Sequence, residues 1–122
     1  MRPMTCVPFR STILSSALVL SLALAASVAA AREAKTPLGK WMKPNMGTPL
    51  AGQDFDTLQK SADFVASKPP AGGNYPEWTT MAKAVSAAAG KQDVKALKAA
   101  CKDCHDAYED KYIKDFPSQP FP

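Results

Sequence analysis

Beyond the first thirty or so residues, apolar positions recur at intervals of three and four in four separate runs, the spacing of amphipathic helices. The first run opens at Thr36-Pro37, a capping hydroxyl followed by a proline suited to the first helical position. It places Leu38, Trp41, Met42 and Met46 on one face. Pro44 lies inside it and predicts a kink or an early stop near Lys43, because proline removes a backbone donor and crowds the preceding turn. The second run starts at about Asp54, carries Phe55, Leu58, Ala62 and Val65, and ends before Pro69-Pro70; the "PPAGGN" that follows reads as a loop. The third begins at Pro76, aligns Trp78, Met81, Ala82, Val85 and Ala89, and is expected to close with Gly90 as its C-cap residue. The fourth extends from about Asp93 to Phe116, with Val94, Leu97, Cys101, Cys104, Tyr108, Tyr112 and Phe116 as its inner stripe and Pro117 as its stop. No useful stretch alternates with period two and no internal repeat is visible. The expectation is an all-α fold, most simply an antiparallel four-helix bundle.

The N-terminal part has a different character. Arg2 and Arg10 precede residues 11–31, "STILSSALVLSLALAASVAAA", which carry no charge and end in small side chains. That is the pattern of a secretory signal peptide, with cleavage expected before Arg32, a domain at 32–122 and a periplasmic location. The competing reading is an uncleaved membrane anchor, since a run of that length could cross the roughly 30 Å of a bilayer's hydrocarbon core. Cys6 lies ahead of the apolar run and would leave with the peptide. The 122-residue chain has 15 basic and 11 acidic residues, a formal charge of +4. Losing residues 1–31 leaves thirteen basic residues against eleven acidic, or +2, too little to indicate a nucleic-acid partner. The remainder is short for a self-sufficient core, so a bound group is expected to help complete it.

The chemistry is concentrated in "AACKDCHDAYEDKYIKDF", residues 99–116, which contains the only histidine, His105. At about 100° per residue, Cys101, Cys104 and His105 project within an arc about 100° wide and meet one object on one side of the helix. Cys-x-x-Cys-His is the attachment pattern of c-type haem, in which two thiols add to the vinyl groups and the adjacent imidazole reaches the iron. One covalent haem c per chain is therefore expected, and it would compensate for the small core. A structural zinc site would need four ligands, and residues 32–122 have no other Cys or His. A thioredoxin-like dithiol belongs near a βαβ pattern, which is absent. A disulfide between Cys101 and Cys104 leaves His105 without a role. Only 17 residues follow His105 and none is Met or His, so a second axial ligand must come from Met42, Met46 or Met81. Ordinary core packing is the plain alternative for each.

With these residues in view, the sequence over 37–116 resembles the class II c-type cytochromes, comprising cytochrome c-prime and its low-spin relatives. "CKDCHDAY" is similar to the family's attachment motif with its following aromatic residue, here Tyr108. "YPEW" resembles the Pro/Trp pair that opens the family's third helix, and "KWMKPN" resembles the first-helix segment of the low-spin members. The resemblance implies a four-helix bundle with haem on the last helix, packing of Trp78 and Tyr108 near the haem, and Met42 as second axial ligand, with Met46 as runner-up if Pro44 displaces the helix. Glu109 departs from the family pattern, which commonly has a basic residue there.

Two functions follow. With Met opposite His105, the iron is six-coordinate and suits an electron carrier serving a redox partner protein. If Met42 only packs over the ring, an open position would bind nitric oxide or carbon monoxide. No second His, Arg or carboxylate constellation is visible to drive catalysis, so an enzyme is not expected. Lys95, Lys98 and Lys102 recur along one side of the last helix and could meet an acidic partner, although a solvated face is the plainer account. A homodimer is left open.

Overall fold

A computed structural model describes residues 33–122. The expected signal peptide, its cleavage site and Cys6 lie outside the described residues. Those described are all-helical, with no strand among them.

The first helix is one continuous rod in three parts: α1 (Pro37–Met42), a π-helical segment (Lys43–Gly47) and α2 (Thr48–Gly52). The Thr36 side chain accepts the Gly39 N–H at 3.0 Å and caps its start. Of the kink or early stop expected near Lys43, the stop does not occur: the helix turns π-helical at Lys43 and continues. Pro44 has no N–H to give, and the ladder widens around it, so that the Thr48 N–H reaches the Lys43 carbonyl five residues back. The Asn45 side-chain amide donates to the Trp41 carbonyl at 2.7 Å, supporting the wide turn from within. The rod ends at Gln53, whose φ of 54° is left-handed.

α3 (Phe55–Ala66) is capped by Asp54, whose carboxylate accepts the Thr57 N–H at 3.1 Å and the Thr57 hydroxyl at 2.7 Å. These bonds hold the Asp54 carboxyl below its ordinary pKa. Leu58, Ala62 and Val65 are buried as the spacing requires. In the loop that follows, Gly72 and Gly73 take φ of 94° and 69°, values that side-chain-bearing residues rarely adopt.

α4 (Trp78–Gly90) starts two residues later than Pro76 and buries Trp78, Ala82, Val85 and Ala89. Gly90 is its last helical residue and not the left-handed cap; Gln92, φ 54°, takes that conformation. α5 (Val94–Asp115) begins at Asp93, whose side chain accepts the Ala96 N–H at 2.9 Å, and stops before Pro117.

The core has two apolar clusters. One joins Leu38, Val65, Trp78, Ala82, Tyr108 and Tyr112. The other is built on Leu58, Ala62, Val85, Ala89 and Leu97, with Leu58 and Leu97 wholly buried. α3 packs on α4 and α4 on α5, while the first rod meets α3 through its π-helical segment and α2. No Cα of the first rod comes within 8 Å of α5, and none of α1 does so with α3, α4 or α5. The first and last helices are thus separated at the level of the backbone, and side chains and the chain's end bridge them. None of the described helices is long and apolar enough to cross a membrane.

Candidate functional site

Asp93 caps α5 and Leu97 anchors it in the core, one turn before Cys101. This fixes the rotation of the helix. Cys101 and Cys104 are free, half-buried thiols; Cys101 packs against the cluster containing Leu97, Cys104 against the one containing Tyr108. Burial pushes both thiols above the ordinary cysteine pKa, and the charge of Cys101 raises Cys104 further.

His105 projects from the same arc and is exposed. Its Nδ1 lies 3.6 Å from Oε2 of Glu109, one turn further along. At that distance the two exposed side chains are neighbours without a hydrogen bond between them. Lys95, Lys98 and Lys102 are exposed on α5; Lys102 is paired with Asp106.

On the first rod, Met42 is half-buried against the cluster containing Leu38 and Tyr108. Met46 stays on the inner face because the rod continues through Pro44, and it touches both clusters. Met81 packs against the same cluster as Met42 and Cys104, and it also lines a shallow groove along the α4–α5 seam with Ala99, Ala100 and Asp103, which lie about 120 to 160° around α5 from His105.

Trp78 and Tyr108 are core residues with committed polar groups. The Trp78 indole N–H donates to the Val65 carbonyl at 2.9 Å, and the Tyr108 hydroxyl accepts the Glu77 N–H at 3.0 Å. The two rings meet each other and Tyr75, and Trp78 also stacks on Tyr112, in one aromatic cluster. Tyr75 donates its hydroxyl proton to Asp115 at 3.0 Å, with the Lys111 ammonium 4.4 Å from its ring centre. The spacing rules missed Phe64 and Phe121, which pack with Trp41 beside the candidate ligand Met42. Phe121 lies in a proline-flanked tail without periodicity, so no helical pattern could have marked it.

Among the described residues no group of three His, Cys, Asp or Glu side chains is arranged to hold a metal ion, so Cys101, Cys104 and His105 have no protein partners for a zinc site. The donor set suits haem c: two half-buried thiols on an apolar floor, an exposed imidazole beside them, and two thioethers on a rod whose Cα atoms stand away from α5. No protein-family model, curated protein or solved structure matches this chain. The functional reading rests on the residues themselves.

Proposed function

We propose that this chain is an exported, periplasmic monohaem c-type cytochrome, an antiparallel four-helix bundle of the class II kind, that carries electrons to or from a redox partner protein. The observation that supports the reading is the Cys-x-x-Cys-His pattern on one arc of α5, with Cys101 and Cys104 half-buried against the core and His105 exposed beside them. Haem c, when bound, supplies a one-electron iron couple whose potential is set by the axial ligands and their surroundings. Cys101 and Cys104 would hold it, His105 would offer Nε2 and Met42 its thioether sulfur. The apolar residues of both clusters would exclude water from the buried edge.

The test is an absorption spectrum of the purified protein, oxidised and reduced, with and without carbon monoxide, preceded by acid-acetone extraction. The haem should stay with the polypeptide, the ferric form should be low-spin with a sulfur-to-iron charge-transfer band, and carbon monoxide should bind slowly or not at all. Met42→Ala should abolish the band and open the site, whereas Met46→Ala and Met81→Ala should leave both unchanged. Freely extracted haem would rule out covalent attachment. The packing of Met42 against the core is also what a five-coordinate gas binder would show, and rapid carbon monoxide uptake by the wild-type protein would establish that reading in place of electron transfer.

A further inference from the structure

We propose that Phe121, in the tail that follows α5, is a positioning residue for Met42: the tail ties the helix carrying Cys101, Cys104 and His105 to the helix carrying the distal sulfur. The inference rests on the proposed haem site and on Met42 as its second axial ligand. It starts from the position of α1, the free end of a rod that is held to α3 further along by its π-helical segment and α2; no Cα of α3, α4 or α5 comes within 8 Å of α1 itself. Its fastenings are side chains. Leu38 is buried in the core, and Trp41 sits in an aromatic trio with Phe64 and Phe121.

Within the trio, Phe121 is placed edge-on to both partners, 5.1 Å from Trp41 and 5.8 Å from Phe64 between ring centres. Such tilted and edge-to-face pairs are the favoured aromatic geometry. At the other end of the tail, Phe116 packs on Tyr75 and Tyr112, within the aromatic cluster that faces α5. Four residues separate the two phenylalanines, and across them the chain passes from the α5 side of the molecule to α1. Because α1 and α5 make no direct backbone approach, this short span is a tether between the two sides of the site. Met42 directly follows Trp41, so the seat of the Trp41 ring governs the reach of the Met42 sulfur.

The experiment uses the haem-loaded, full-length protein. Phe121→Ala should speed carbon monoxide binding to the reduced form by roughly tenfold, the order expected from losing two aromatic contacts. It should weaken the ferric sulfur-to-iron band and raise hydrogen exchange at the backbone amides of α1, a readout independent of haem chemistry. Phe121→Leu, which retains an apolar plug, should recover much of the wild-type behaviour. Asp54→Ala, which removes the cap of α3 far from the proposed haem residues, should lower the denaturation midpoint without changing carbon monoxide uptake. The inference is overturned if Phe121→Ala binds carbon monoxide like the wild type, or if Asp54→Ala accelerates it equally. Absence of covalent haem, or a charge-transfer band that survives Met42→Ala, would overturn the parent reading as well, so the two failures are distinguishable.

Discussion

Tyr75 shows how one residue in a loop can set a pH limit for the molecule. Burial and the hydrogen bond to Asp115 push its phenol pKa up to about 12. An unfolded tyrosine loses its proton near pH 10, whereas the folded one keeps it, so over that interval the unfolded state binds fewer protons and stability falls as pH rises. Unfolding midpoints measured in denaturant should therefore drop between about pH 10 and 12. In Tyr75→Phe that alkaline loss should be shallower, and at neutral pH the variant should be less stable by about 1 kcal/mol for the missing hydrogen bond. Asp115 has the opposite sign. Hydrogen bonds from Lys111 and Tyr75 hold its carboxyl below the ordinary range, so its contribution is present above the usual carboxylate pKa and is lost as pH falls through the folded value.

At the scale of elements, the helix ends make contrasting predictions. Asp93→Ala removes the cap of α5 and should cost about 1 kcal/mol in thermal or denaturant unfolding. Gly90→Ala should be neutral or stabilising by up to about 1 kcal/mol, because alanine is the better helix former. The added Cβ would come within 2.9 Å of Gln59 Nε2, but that atom ends an exposed, flexible side chain that can turn away. A clear loss of stability in Gly90→Ala would show that Gln59 cannot move. Caps, stripes and the attachment motif were readable from the chain because each is a local pattern: a polar oxygen three residues before its amide, or apolar side chains at helical period. The passage through Pro44 was not. Proline chemistry alone argues for a stop, and the repair depends on a carbonyl shared with the Asn45 amide and a ladder displaced by one residue, neither of which periodicity records. Gly90 misled for a related reason: its composition suits a cap, yet Gln92 takes the left-handed turn.

For the molecule as a whole, the site combines near and distant parts of the chain unequally. Cys101, Cys104 and His105 are legible because one turn of helix contains them, whereas Met42 stands out from Met46 and Met81 only through the resemblance of "KWMKPN" to a family segment. Phe121 and Phe64 became visible only once the tail was seen to return to Trp41.

The weak attachment of α1 also has a kinetic consequence. α3, α4 and α5 pack as successive neighbours along the chain, so their association needs only short loop closures and should form early. α1 itself touches that kernel through Leu38, Trp41, Met42 and the tail beyond α5, while the rest of its rod meets only α3, which places the docking of α1 late. In stopped-flow chevrons, Trp41→Ala should therefore speed unfolding and leave the refolding rate nearly unchanged, while Leu97→Ala should slow refolding. Equal effects on both limbs from Trp41→Ala would mean that the first helix is already docked at the barrier.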